Sequence, residues 1–522
     1  MIRALRPVGV FLLALAGAAS VLSEELPLRP AFHFTPPAGW MNDPNGLVHH
    51  DGEYHLFYQY YPQDLVWGPM HWGHAVSRDL LHWQHLPIAL APDAQGYVFS
   101  GSVVVDHGNR SGLGVAGQPP LIAVYTAHDP EQKKAGTGRH ESQALAVSLD
   151  RGRSWRRHVG NPVLPNPGGT PDFRDPSVFW HAPSAQWVMA LAVKDHVQLY
   201  GSSDLKAWRP LGRFSSDRLP GLGVWECPNL FPLAVEGTTQ IRWVLLVSVV
   251  DGGPQGGTGT LYVVGDFDGS SFTPDPAFMA RVAQEGPQWV DLGHDNYAGV
   301  TYNDAPDGRR VFVGWMSNWR YATKVPATLW RSAMTVPREL SLRQTGSGLR
   351  LASQPLRELQ SLRGLVSPLQ PTSAPATQEL PPVMAQRADL RLHVGTAPAT
   401  PSPAGGRLML EFSNDHGERL LAGWDTQEGL FVDRRAAGPA DWHPEFATVA
   451  RAATAQAEPV RALRILVDRH SVELFANEGT AVMTETFFST AAFTRLTLRT
   501  EGALRITGGE AAELRPAVAS GP

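Results

Sequence analysis

Apolar residues along this chain come in runs of strand length. Residues 53–60 alternate apolar with polar, and apolar runs recur at 121–126, 186–193, 243–250, 260–264 and 310–316. Buried strands read as such runs, whereas an amphipathic helix repeats every three to four residues. No long stretch shows the helical period. Asp-Gly pairs at 51–52 and 307–308 introduce two of the strands with the residues a tight turn between strands requires. Further on, Leu408, Leu410 and Phe412 alternate against Arg407, Met409 and Glu411, and Leu463, Ile465 and Val467 alternate likewise. Asn477-Glu478-Gly479 supplies a turn between strands there. The pattern predicts an all-β protein.

A weak repeat divides the strands into groups. Ser77-Arg78-Asp79-Leu80-Leu81-His82-Trp83 recurs as Ser202-Ser203-Asp204-Leu205-Lys206-Ala207-Trp208, more loosely as Ser148-Leu149-Asp150 followed by Trp155, and in degenerate form from Asp266 to Phe272. A period of roughly 50 residues carrying several strands is the signature of a propeller blade. The stretch 30–342 then holds roughly five blades at that spacing. A β-sandwich with chance turn similarity is the weaker reading. Residues 343–385, rich in Ser, Gln, Pro and Leu, read as a linker, and 386–515 as a second, β-sandwich domain.

Composition narrows the class. With 43% hydrophobic and 18% charged residues the chain has an ample core, and a net charge of -5 without a basic stripe argues against a nucleic-acid partner. Arg3 and Arg6 precede an uncharged, Leu- and Ala-rich run at 7–23, which reads as a signal peptide over 1–23 with its exit after Ser20 or Ser23. No later segment is long and apolar enough to span a bilayer, so the expected mature protein is secreted or periplasmic without a membrane span. The single cysteine, Cys227, leaves no internal disulfide framework. His71 with His74, and His82 with His85, have a metal-like spacing but sit in strand-like, Trp-rich context, so no metal or cofactor is expected. Asn109-Arg110-Ser111 is a glycosylation sequon, meaningful only in a eukaryotic secretory pathway.

Three acids stand in related settings. Asp43 lies in Trp40-Met41-Asn42-Asp43-Pro44-Asn45-Gly46, Asp175 in Phe173-Arg174-Asp175-Pro176, and Glu226 in Trp225-Glu226-Cys227-Pro228. Each has a proline within the next two residues and an aromatic neighbour, the context of a strand end rather than of a free surface. Any one of them alone would be turn chemistry or an Arg–Asp structural pair. In a propeller, equivalent strand ends converge on the central channel, so three such acids would face one another in a funnel. Cleavage of a glycosidic bond needs such a set: one carboxylate to attack or support the cationic carbon, and one protonated to feed the leaving oxygen.

These motifs in this order, together with Phe99-Ser100-Gly101-Ser102, resemble glycoside hydrolase family 32 from about Phe32 to the C-terminus. The resemblance implies a five-bladed β-propeller followed by a C-terminal β-sandwich. It also implies a retaining, exo-acting β-fructofuranosidase whose substrate is fructan or sucrose, with Asp43 as nucleophile, Glu226 as general acid/base and Asp175 as transition-state stabiliser. Asn42, Gln59, Trp67, Phe99, Ser100, Arg174 and Trp315 match the family's fructose pocket, and Tyr297 matches it less closely. Exo action is suggested by Gly314-Trp315-Met316-Ser317-Asn318-Trp319 and Trp330-Arg331-Ser332-Ala333, which are similar to exo-acting levanases and inulinases. Retention implies that Asp43 and Glu226 lie about 5–5.5 Å apart. Two other readings stay open at this point: a fructosyltransferase, in which a sugar acceptor replaces water, and a carbohydrate-binding propeller without catalysis.

Overall fold

The computed structural model describes residues 29–115, 117–372, 375–396, 405–452 and 459–517; the signal peptide expected at 1–23 lies outside them. Among the described residues seven sheets form. Five are built from successive quartets of strands, each running outward from an innermost strand. The innermost strands are Gly39–His50, Tyr97–Val105, Phe173–His181, Trp225–Ala234 and Tyr297–Thr301. Each packs against the next, and the fifth returns to the first. The quartets are therefore blades I to V of a propeller. Its core lies between neighbouring blades, where for example Val188, Val197 and Leu199 of blade III meet Leu230, Leu245 and Val263 of blade IV.

Ring closure falls to a segment that interrupts blade V. After Val311–Trp315 the chain leaves the blade and lays Trp330–Arg331 parallel to Gly39 and Trp40 of blade I. It returns for Arg338–Thr345 and Gly348–Pro355, and on the way the Met334 N–H donates to the Phe34 carbonyl at 2.9 Å.

The sequence repeat is the turn between the third and fourth strands of blades I to IV. Asp79 Oδ1 accepts the N–H groups of Leu81 and His82, and Asp204 Oδ1 those of Lys206 and Ala207. Asp150 Oδ1 accepts Ser154 N–H, and Asp268 Oδ1 those of Ser270 and Ser271. The residue after each Asp is left-handed: Leu80 at φ +64°, Arg151 at +58°, Leu205 at +64°, Gly269 at +99°. Burial of Leu80 and Leu205 offsets the cost of that backbone. In the fourth copy the capping acid is Asp268, two residues beyond the Asp266 that opens the degenerate sequence match. Blade V joins its outer strands through Thr345 to Gly348, where the motif is missing, so the repeat has four copies in a ring of five.

The stretch 343–385 is not a linker. It holds the end of Arg338–Thr345 and all of Gly348–Pro355, which complete blade V, and then Arg363–Pro368 and Ala376–Leu380, one at the edge of each of two six-stranded sheets. Edge strands bury little, and Ala376–Leu380 buries only Leu380, so their apolar signal is faint against Ser, Gln and Pro. The two sheets pack face to face over a core that includes Leu390, Leu410, Phe412, Ile465 and Leu474. No helix among the described residues is long and apolar enough to cross a membrane.

Sandwich and propeller meet through buried charges. His33 lies between Asp468 (2.8 Å) and Glu473 (2.7 Å) of the sandwich, and Glu473 also pairs with Arg338 of blade V. Arg434 of the sandwich reaches Asp295 at 3.0 Å and donates to the Tyr321 hydroxyl at 3.1 Å. Asp295 lies two residues before the inner strand residue Tyr297.

Candidate active site

Each innermost strand carries a bulge near its start. In blade I the register passes from Met41 opposite Tyr60 to Pro44 opposite Tyr58, which sets Asn42 and Asp43 against the single residue Gln59. The same two-against-one arrangement falls on Phe99-Ser100, Asp175-Pro176, Cys227-Pro228 and Ala298-Gly299 in the other blades. A bulge bends the strand and re-aims its side chains. Here Asp175, Cys227 and Ala298 take φ of +64°, +46° and +51°. The prolines that accompany the three acids sit where a strand tolerates them, at a bulge on an edge strand. Five bulges at one height around the axis thus turn five short motifs toward a common point.

The three acids meet there. Asp43 accepts from Asn42 Nδ2 at 2.9 Å on one oxygen and from Ser100 Oγ at 2.8 Å on the other. Asn42 is itself fixed by the Trp40 indole N–H at 2.7 Å. Asp175 is buried; one oxygen accepts Cys227 N–H at 3.1 Å, and its own N–H donates to Thr126 Oγ1 at 3.0 Å. Glu226 is held between two partners. Arg174 donates to Oε1 through Nε at 3.1 Å and Nη2 at 2.8 Å, and the Tyr297 hydroxyl donates to Oε2. The Cys227 sulfur lies 3.6 Å from Asp43 and 3.7 Å from Asp175, so its thiol stands between those two carboxylates.

Three carboxylates share this space with one guanidinium. Burial and the Glu226 charge raise the pKa of Asp43, against the hydrogen bonds from Asn42 and Ser100. Burial and the same charge push Asp175 up to about 8, with Arg174 opposing. The thiol of Cys227 is pushed well up, by burial first and then by Asp175 and Asp43, and stays protonated as a donor. Crowding of the carboxylates thus works against their all being ionised at once. Arg174 is held firmly charged: burial works against it, and Glu226, Glu141, Asp175 and Asp172 outweigh burial.

The other expected pocket residues gather around these acids. Gln59 is buried and donates to the Val98 carbonyl at 3.0 Å. Phe99 stacks on His128 at 4.2 Å. Trp67, 38% exposed, meets Phe99 and Tyr97 edge to face. Trp315 is fully buried and packs against Trp40, Tyr297 and Trp319. Below the acids the axis narrows to a cavity of about 20 Å³ lined by Ser100, Asp175, Cys227, Asn229 and Asn303, room for about one water.

Some contributors escaped the sequence reading. Glu141, from the third strand of blade II, touches Arg174, and Thr126 supports Asp175; Trp40 and Trp319 stack at 5.6 Å beside Trp315. Glu141 opens the strand Glu141–Ser148 and carries no motif, whereas Trp40 and Trp319 stood inside motifs already noted. Glu141, His128 and His140 bring ligand-type atoms within 4.8 Å of one another. Arg174 Nη1 already lies 3.3 and 3.5 Å from the two oxygens of Glu141, so a guanidinium fills the place of a cation. Of the metal-spaced histidines, His74 contacts His55 at 3.1 Å and stacks on Phe57, while His82 binds Asp79 in the blade I turn.

Carboxylates gathered beside packed aromatic rings are the equipment of a glycoside hydrolase. The chain belongs to glycosyl hydrolases family 32: the family's N-terminal domain matches residues 33–355 and its C-terminal domain 358–513. It is 44% identical over 469 residues to a levanase of Bacillus subtilis, spanning 88% of this chain and 66% of that protein. An extracellular exo-inulinase of Aspergillus niger is 37% identical over 91% of this chain and 92% of its own length. Among solved structures, exo-inulinase from Aspergillus awamori superposes with a TM-score of 0.83 at 33% identity, covering 95% of this chain and 99% of that one. The β-fructofuranosidase of Schwanniomyces occidentalis complexed with fructosyl-erythritol gives 0.82 at 30% identity, covering 93% and 98%.

Proposed function

We propose that this chain is an exported, retaining, exo-acting β-fructofuranosidase that removes terminal fructosyl units from levan, inulin or sucrose. The observation that carries the reading is the division of labour between Asp43 and Glu226, held by different partners at the floor of one pocket. Hydrogen bonds from Asn42 and Ser100 to both oxygens of Asp43 favour its anion, the form that attacks the anomeric carbon. Glu226, gripped by Arg174 and Tyr297, delivers a proton to the departing oxygen and then takes one from the water that frees fructose. Asp175 grips ring hydroxyls, an interaction that strengthens as positive charge grows on the sugar. The similarity to extracellular exo-inulinases supports exo action, and the water-sized cavity beside Asp175 leaves substrate and product one face by which to enter and leave. The charged-then-apolar start at 3–23 and the extracellular relatives named above support export.

The test follows the first product by NMR on levan, inulin and sucrose, then compares Glu226→Gln with Asp43→Asn. Early β-fructose, with Glu226→Gln recovering on a substrate whose leaving group needs no proton and Asp43→Asn not recovering, is the expected result. An inverted anomer, or equal recovery of both variants, refutes the roles. Longer oligosaccharides in place of free fructose refute hydrolysis, and early mixed fructo-oligosaccharides refute exo action.

A further inference from the structure

Glu141 is a buried acid that no part of this mechanism uses. It lies on blade II, yet its carboxylate is directed across the blade boundary. Oε2 accepts the Phe173 N–H at 2.7 Å, at the start of the strand that carries Arg174 and Asp175. Oε1 lies 3.3 Å from His128 Nδ1, and His128 stacks on Phe99 of the sugar pocket. Both oxygens face Arg174 Nη1, which also donates to Asp172 at 2.6 Å. The guanidinium is therefore divided: Nε and Nη2 serve Glu226, while Nη1 serves two acids outside the sugar pocket.

We propose that Glu141 is a positioning residue that sets how firmly Arg174 holds Glu226, and through it how readily Glu226 keeps the proton it must give to the leaving group. The inference rests on the roles proposed above for Asp43 and Glu226. Two effects act together. Geometrically, Glu141 holds Nη1 and pins Phe173, so the guanidinium is kept from closing further on Glu226. Electrostatically, Glu141 and Asp172 draw on the charge of Arg174. Without them the Arg174 charge would act on Glu226 unopposed, which favours the carboxylate over the acid that must protonate the leaving oxygen.

The surrounding charges agree in sign. Glu141 faces Arg174, His128 and His140; Arg174 faces Glu226, Asp172 and Asp175; Glu226 also faces Tyr297 and Asp43. Burial holds His128 below its usual range and favours the neutral ring, which does not take over the part of Arg174. Burial alone would raise Glu141, but His128 and Arg174 hold it at about 2, so it is charged at neutral pH.

Glu141→Gln keeps the size and one acceptor oxygen but removes the charge. On sucrose the expected result is a roughly tenfold lower kcat/KM at neutral pH, with the alkaline limb of the kcat/KM profile moved down by about one pH unit and KM little changed. On an aryl β-fructofuranoside with a good leaving group the loss is expected to be about twofold or less, because proton delivery matters little there. Asp172→Asn acts on the same Nη1 from a more exposed position and is expected to shift the limb in the same direction, which keeps the test available should Glu141→Gln fold poorly. An unshifted limb with equal losses on both substrates would make Glu141 a packing residue and overturn the proposal. Wild-type protein that retains configuration while the variants show no shift refutes only this inference; wild-type protein that inverts, or releases no fructose, refutes the underlying roles instead.

Discussion

At the scale of single residues the site is a set of hydrogen bonds that oppose burial. Ser100 illustrates this best. Its hydroxyl holds the Asp43 oxygen that Asn42 does not, and it lowers the pKa of a carboxylate that burial and Glu226 raise. Ser100→Ala is expected to move the acidic limb of kcat/KM upward in pH, since Asp43 then ionises later. The rate should fall about tenfold, the scale of one hydrogen bond to a charged group. A pH profile on sucrose checks this, and an unmoved acidic limb contradicts it. Asp43, Asp175 and Glu226 were legible in the sequence because a bulge leaves a mark: proline and an aromatic residue crowd around an acid. Glu141 left no mark, since its neighbours are ordinary strand residues and its partner Arg174 is 33 positions away.

At the scale of elements, the blades are held by a turn that the sequence displays four times. Asp204 is representative: its carboxylate accepts two backbone N–H groups and permits the left-handed Leu205 that is buried beneath. Asp204→Ala leaves those groups without their side-chain acceptor, at an expected cost of about 1–2 kcal/mol. Denaturant unfolding should register the loss while activity at 25 °C stays near wild type, because the turn lies at the outer part of blade III; a stability equal to wild type contradicts the role. The same turn explains what was hidden. Blade V lacks it and is interrupted by the closing segment, so its outermost strand and the end of the one before, with the two sandwich edges that follow, read as connector. Period-two patterning is strong in central strands such as Gln186–Val193 and fades in strands with one face and one edge in water.

At the scale of the whole molecule, propeller and sandwich are joined by charges that were invisible in the sequence because their partners lie far apart; His33 and Asp468 are 435 residues from each other. Burial alone would lower His33, but Asp468 and Glu473 on its two ring nitrogens raise it to about 9. A histidine raised in the folded state contributes stability below its unfolded value near 6.5, and that contribution is lost as pH climbs through about 9. Against burial, Asp468 is lowered by His33 and Glu473 by Arg338 and His33; both contribute in the opposite sense and fail only in acid. The Tm of wild type is therefore expected to fall between pH 7 and 10 more steeply than that of His33→Gln, by the equivalent of about 3 kcal/mol; parallel curves contradict the assignment. The narrow neck below the acids has a consequence for how a polymer is consumed. Since fructose has no rear exit, the shortened chain must withdraw from the mouth before the freed sugar leaves. Under the proposed exo action on a fructan, the polymer is then released after each cut, and size-exclusion chromatography of a partial digest is expected to show every chain shortened by small, evenly shared steps; full-length chains persisting beside free fructose contradict it.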